Sequence, residues 1–412
     1  MSNKVEKNIM EQDARRELKP KLRFPEFRDE PEWKAEKLGA VASLITERAG
    51  NKKCVPMSIT SGVGLVSQQE KFGRTIAGNQ YENYLVLQKN DFAYNKSATK
   101  EFPQGFIAKY SGDEPAAVPN SIFTCFRVHE DGIVPDFLNY LFVGNLHGKW
   151  LKKYIEVSAR AHGSLSIGDE DLLSLPIPLP SGGSSRAEQQ KIAACLTSVD
   201  ELIADHGQKL DALKAHKKGL MRQLFPREGE TFPRLRFPGF MDDWEENTLD
   251  GLSDSISSGK DKTDSSGAYD LYGSTGIIGK TSSDSYEGEY ILVARVGANA
   301  GMLTRAFGQF GVTDNTLVIS LNPASNLTFV FYYLDNLNLN RLIYGSGQPL
   351  ITGGQLKILP ILLPIESERT QIATCLSSLD ELIAGQSQKL DALKTYKQGL
   401  MQQLFPSTKE ES

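Results

Sequence analysis

Apolar residues recur along two stretches of this chain at intervals alternating between four and three. In the first, Ile192, Leu196, Val199, Ile203, His206, Leu210, Leu213, Lys217, Leu220 and Leu224 keep that spacing without a slip. In the second, Ile372, Leu376, Leu379, Ile383, Gln386, Leu390, Leu393, Lys397, Leu400 and Leu404 keep it again. A period of about 3.5 is the seam of a coiled coil. Each seam is interrupted twice by a polar residue, at matching places. The spacing predicts two long helices. Pro226 and Pro406 stop them, because the residue before a proline is pushed out of the helical region. Ser185 followed by Glu188 has the spacing of a capping box and marks the first helix start; the second copy lacks that pair in register. Ile192 to Leu224 spans about 48 Å at roughly 1.5 Å per residue.

A stripe that long needs a partner, and its twin is the nearest one. Burying a Leu, Ile or Val side chain contributes roughly 1.5–3 kcal/mol, less the ordering entropy. The seam alone does not fix the direction of pairing. Topology favours antiparallel, because the chain leaving the first helix enters the next globular stretch almost at once, at Leu235. The plainer alternative is two amphipathic helices, each packed on its own domain; the seam length and the repeat weigh against it.

The repeat extends well beyond the seam. Glu188–Pro226 recurs as Glu368–Pro406 at a constant offset of 180, with 26 identities in 39 positions. Leu22-Arg-Phe-Pro-Glu-Phe27 matches Leu235-Arg-Phe-Pro-Gly-Phe240; Trp33 and Trp244 follow, then Leu38 and Leu249. A third pair, Leu173–Pro180 and Ile358–Pro364, closes each globular stretch with prolines. The bodies between these markers, about residues 40–171 and 250–355, diverge. They read as short alternating strands broken by Gly, Asn and Ser turns, with helices near Pro135–Leu146 and Leu327–Leu339. Faint echoes pair Tyr84-Leu-Val-Leu with Tyr290-Ile-Leu-Val, and Asn120-Ser-Ile-Phe with Asn315-Thr-Leu-Val. Two similar scaffolds with divergent surfaces suggest one kind of job done on two targets.

Composition narrows the chemistry. The 412 residues predict two or three domains. With 46 Lys and Arg against 51 Asp and Glu, the net charge of −5 argues against a protein coated in basic charge. Locally the balance differs: residues 46–168 carry 14 basic against 11 acidic residues, and 257–355 carry 6 against 8. Bidentate base reading uses Arg or Lys for guanine and Asn or Gln for adenine. By that vocabulary the candidate DNA contacts are Asn95, Lys96, Lys100, Arg160, Arg295, Asn299, Arg305 and Gln348. Taken singly, a surface Lys or Arg is usually just solvated, and Trp150 and Tyr154 read better as core than as stacking platforms.

Catalytic patterns are missing. Gly273–Thr281 nearly spells a phosphate-binding loop, but Ser274 stands where its first glycine belongs. The histidines lack zinc spacing, no Gly-x-Ser-x-Gly elbow occurs, and Pro135-Asp136 has no acidic-x-Lys partner in the following forty residues. Cys54, Cys125, Cys195 and Cys375 form neither a disulfide framework nor a C-x-x-C motif. No signal peptide and no membrane span is evident, so a reducing, cytoplasmic location is expected.

The twice-stated Leu-Arg-Phe-Pro…Trp opening, the Pro-rich exit and the paired helices ending in Gln-Leu-Phe-Pro (Gln223–Pro226 and Gln403–Pro406) resemble the specificity (S) subunits of type I restriction–modification systems. The resemblance covers about Leu22–Pro406. It implies an α+β chain with two similar mixed α/β target recognition domains, separated by two long antiparallel coiled-coil helices in a pseudo-two-fold internal repeat. The boundaries expected are a tail over 1–21, recognition domains over 22–180 and 233–364, spacer helices over 181–232 and 365–406, and a tail over 407–412. It implies further that each domain reads one half of a gapped site on double-stranded DNA. The helices set the spacing and dock two methyltransferase (M) subunits, and translocase/endonuclease (R) subunits complete the enzyme. The chain itself is then non-catalytic and carries no cofactor or metal, with AdoMet, ATP and Mg on the partners. The competing reading is a two-headed adaptor, not for DNA, built on a coiled-coil ruler.

Overall fold

The computed structural model describes residues 18–406, except 61, 79, 130–131, 153–164, 166, 323–325 and 344–349. Contacts divide the chain into two units. One joins the residues up to Asp205 with those from Asp391 on; the other is His206–Leu390. The division cuts both long helices, Ser185–Leu224 and Glu366–Leu404, which end at the residue pairs set by Pro226 and Pro406. All twenty seam positions are buried or half-buried.

The first unit holds β1 (Lys34–Lys37), β2 (Ala42–Leu44), β3 (Val55–Thr60), β4 (Gly64–Ser67), β5 (Leu85–Leu87), β6 (Phe92–Asn95), β7 (Phe106–Lys109), β8 (Ala116–Val118), β9 (Phe123–Val128) and β10 (Pro176–Leu179). β1 and the Pro-rich β10 pair alone. One four-stranded sheet has the order β2-β9-β6-β7 and another the order β4-β3-β8-β5. Helix α1 (Pro135–Val143) packs on the first of these sheets, where Phe92 stacks on Phe126 at 5.2 Å and Phe142 meets both edge-on.

The second unit holds β11 (Glu245–Thr248), β12 (Ser253–Ser258), β13 (Tyr269–Gly273), β14 (Gly276–Thr281), β15 (Tyr286–Ala294), β16 (Leu303–Val312), β17 (Thr316–Leu321) and β18 (Pro360–Leu363), with helix α2 (Leu327–Leu337). β11 pairs with β18. The six-stranded sheet runs β12-β17-β15-β16-β13-β14. Its first four strands reproduce the order β2-β9-β6-β7. The bodies differ in what is added: a separate small sheet in one, a β13–β14 hairpin in the other. The phosphate-loop look-alike Gly273–Thr281 is the tip and second strand of that hairpin, and Gly276 turns it at φ 94°. A hairpin offers no helix N-terminus to a phosphate.

The repeated motifs turn out to be one clamp built twice. In the first unit Arg23 donates bidentately to Glu188 at 2.8 and 2.7 Å, and Trp33 Nε1 donates to the same carboxylate at 3.2 Å. In the second, Arg236 holds Glu368 at 2.9 and 2.6 Å. The Leu-Arg-Phe-Pro arginine thus grips the start of the long helix in its own unit. Glu188 is therefore not the reciprocal half of a capping box as its spacing suggested: its carboxylate is 1% exposed and taken by Arg23 and Trp33, while Ser185 Oγ donates to the Pro180 carbonyl. Beside each clamp sits an aromatic cluster, Trp33–Phe137–Phe405 in one unit and Trp244–Phe329–Phe225 in the other.

Within each unit the helix segments run antiparallel. In the second, Gln386 Nε2 donates to the His206 carbonyl at 2.9 Å and Lys217 reaches Asp380 at 2.7 Å. In the first, Leu404 shares a core with Ile192 and Leu196, and Lys397 reaches Asp200 at 2.6 Å. The polar seam positions are thereby explained: they pair across the seam. Tyr332 donates to Asp380 at 2.7 Å beneath Lys217, and Tyr140 to Asp200 at 2.8 Å beneath Lys397. Burial and the hydrogen bond to Asp380 push the Tyr332 phenol up to about 12.

Candidate nucleic-acid interface

The two central sheets agree in register as well as in order. Asn95 at the end of β6 lies opposite Phe123, and Ala294 at the end of β15 lies opposite Thr316. The same offset carries Val128 onto Leu321, each opposite the edge strand. The next residues, Lys96 and Arg295, are therefore equivalent. Their N–H groups donate to Ile122 and Asn315 carbonyls at 2.9 Å, and their carbonyls accept from Leu165 and Ile351 N–H groups at 2.8 and 2.9 Å. This corrects both sequence echoes. The counterpart of Ile291–Ala294 is Phe92–Asn95, not Leu85–Leu87, which belongs to another sheet. The Asn120 echo is displaced by two residues, since Ile122 matches Asn315.

Each of these basic residues opens a hairpin loop that a left-handed glycine closes, Gly105 at φ 80° and Gly301 at φ 91°. A Cβ at Gly105 would lie 2.4 Å from the Asn95 carbonyl oxygen, and one at Gly301 2.8 Å from the Asn340 nitrogen. Both positions combine a positive φ with a close backbone approach, the two conditions only glycine meets without strain. One frame thus displays two loops of different length, Lys96–Gly105 and Arg295–Gly301.

Asn95, Lys96 and Lys100 come together on the first loop, and Arg295 and Asn299 on the second. Asn95 is buried, and its Oδ1 accepts the Ser97 N–H at 2.9 Å, so its amide oxygen shapes the loop. The Tyr94 hydroxyl donates to the Gln104 carbonyl at 2.8 Å, and His147 sits against the Gly105 carbonyl at 3.3 Å. Burial among these rings holds the His147 imidazole down to about 4, with the Gly105 hydrogen bond opposing. Lys100 is exposed. Asn299 lines a recess with Asp335, Asn338 and Asn340. Burial raises the Asp335 carboxyl, with Lys217 opposing and Asp380 adding to the rise.

Arg305 lies on β16 rather than on a loop. Its Nη2 donates to Thr328 Oγ1 at 3.0 Å, and the guanidinium sits 5.0 Å from the Phe307 ring and 5.8 Å from Phe331. Arg295 makes no such side-chain contact among the described residues, although the Nε of both arginines is buried without a hydrogen-bond partner there. Arg160 and Gln348 lie outside the described residues. The Arg23–Glu188 and Arg236–Glu368 clamps escaped sequence reading, although both arginines and both glutamates stand inside the repeated blocks. The pairing is separated by 165 and 132 residues, and only the duplication of both members hinted at it.

Among known proteins, residues 241–395 match the type I restriction modification DNA specificity domain. The specificity subunit of the Escherichia coli type I restriction enzyme EcoprrI is 34% identical over 114 residues, which cover 28% of this chain and 28% of that protein. The putative MjaX specificity subunit of Methanocaldococcus jannaschii is 26% identical over 323 residues, 73% of this chain and 74% of the relative. In fold, the S subunit of a type I restriction–modification system from M. genitalium aligns with 95% of this chain and 100% of its own at a TM-score of 0.59 and 16% identity. Duplicated frame, matched sheets and sequence likeness point the same way: the chain is similar to the specificity subunits of type I restriction–modification systems, and residues 241–395 match the model of their DNA specificity domain.

Proposed function

We propose that this chain is the DNA-specificity subunit of a type I restriction–modification enzyme. Each unit reads one half of a gapped, two-part site on double-stranded DNA, and the long helices set the gap and dock two methyltransferase subunits. The observation that carries this reading is the equivalence of β2-β9-β6-β7 with β12-β17-β15-β16, which presents dissimilar loops from one scaffold. A common frame with different reading surfaces is what a two-part address requires, since specificity resides in base contacts and not in the frame. The recognition domains then correspond to about 22–180 and 233–364, held as an internal pseudo-two-fold repeat.

The division of labour follows from charge and chemistry. At net −5 the chain supplies base reading while partner subunits supply much of the phosphate attraction. AdoMet belongs to the M subunits, and ATP and Mg to the R subunits of the full enzyme, working in the cytoplasm. The glycine-rich run that could have suggested ATP is a hairpin. Exchanging residues 40–171 for the body of another such subunit tests the reading. Methylation mapping is expected to show one half of the site changed and the other intact; an unaltered site would reject it. The purified chain alone is expected to bind DNA weakly and to gain strongly with its methyltransferase partner.

A further inference from the structure

We infer that Lys96 and Arg295 are the guanine readers of the two half-sites, one in each unit; the inference rests on the DNA reading above. Three observations carry it. First, the two residues stand at the same place in the shared frame, at the start of the hairpin loop after the inner strand, tied by the same pair of backbone hydrogen bonds. That tie fixes the Cα before any ligand arrives, so little ordering remains to be done on binding.

Second, neither side chain forms an ion pair or hydrogen bond among the described residues, while Asn95 is turned into its own loop and Arg305 is held by Thr328 and two rings. The Arg295 Nε is buried and unpaired, as is that of Arg305, but only Arg305 has its Nη2 already engaged, by Thr328. Leaving such a group unsatisfied is costly, and a ligand acceptor would remove the cost. Third, Lys and Arg share one preferred base edge, the O6 and N7 acceptors of guanine in the major groove. Two unlike loops that begin with a residue of this class are suited to the same type of contact in different surroundings.

The test is methylated-adenine mapping of chromosomal DNA from cells carrying the complete system with the wild-type chain, K96M or R295M. The expected result is relaxation at one guanine of one half-site by about 10- to 100-fold, in opposite halves for the two variants, with the rest of the site intact. A uniform fall in methylation with every base preference retained would overturn the inference, because a phosphate contact or a structural role weakens all sites alike. So would a half-site without any G·C pair. Should a methionine variant abolish methylation altogether, K96R and R295K decide: both keep the charge and change the donor geometry, so a guanine reader gives an altered preference. A wild-type site in both conservative variants overturns the inference. The 40–171 exchange in the same cells separates the two levels. If it changes a half-site while the point variants do not, the reader assignment fails and the specificity function stands. If it too changes nothing, the function itself fails.

Discussion

At the scale of single residues, the clamp glutamates make the sharpest case. Glu188 serves Arg23 and Trp33, whereas Glu368 serves Arg236, and the Trp244 Nε1 is buried with no partner among the described residues. Removing one member of a buried ion pair costs about 3–5 kcal/mol because the other charge is stranded. Glu188→Ala is expected to lose that much from the first unit in urea unfolding, and Glu368→Ala about 1 kcal/mol less from the second, for want of the indole hydrogen bond. Equal losses would show that the Trp33 contact contributes nothing. His147 adds a pH dependence. Its folded value of about 4 lies below the ordinary histidine value of about 6.5. Its contribution is therefore fully present above pH 6.5 and is lost as pH falls towards 4, with a slope of up to about 1.4 kcal/mol per pH unit. Urea midpoints of the wild type and His147→Leu between pH 7 and 4.5 are expected to converge as the pH drops; parallel curves would exclude the assignment. The clamp and the buried imidazole were unreadable in the sequence, because each depends on which distant backbone or side chain lies beside it.

At the scale of elements, the seam was nearly all in the sequence and its polar members were not. The four-three spacing located both helices to within a few residues, since a stripe of that period has one way to be buried. The lysines at 217 and 397 looked like interruptions; they reach the carboxylates of Asp380 and Asp200 across the seam. The central layer of His206 and Gln386 is a different kind of feature. Replacing a polar layer of a coiled coil by leucines commonly adds stability and relaxes register. The double variant H206L/Q386L is expected to melt a few degrees higher and, on the proposed spacer role, to loosen the spacing at the DNA, seen as methylation of sites with more than one gap length. A lower melting temperature would show that this layer is a net stabiliser. Strands were harder. The apolar run Tyr84-Leu-Val-Leu resembles Tyr290-Ile-Leu-Val in composition alone, and its true counterpart was hidden because register is set by pairing with β9 or β17, far along the chain.

At the scale of the molecule, the proposed spacer role makes a quantitative prediction. Inserting one heptad after Gln208 and another after Gln388 preserves the seam and lengthens both helices by about 10 Å at roughly 1.5 Å per residue. The recognised gap is expected to grow by about three base pairs at roughly 3.4 Å each, with both half-sites unchanged. A gap of unchanged length would refute the ruler. The duplicated plan itself was open to reading, because a 180-residue offset survives any uncertainty about strands. The partition into units was not, since it follows contacts rather than sequence order.

That partition has a bearing on how the chain is made. The core around Trp33 and Phe137 includes Leu400, Met401, Leu404 and Phe405, and Leu22 donates its N–H to the Gln403 carbonyl. On the ribosome, the first unit begun is thus the last one finished. At roughly 5–20 residues per second, its aromatic cluster waits some tens of seconds for the segment that closes it, while all of His206–Leu390 emerges in between. The second unit can complete itself during synthesis; the first waits for the helical turns around Leu400–Phe405. Termination or stalled translation within the second long helix therefore damages the half of the protein encoded first.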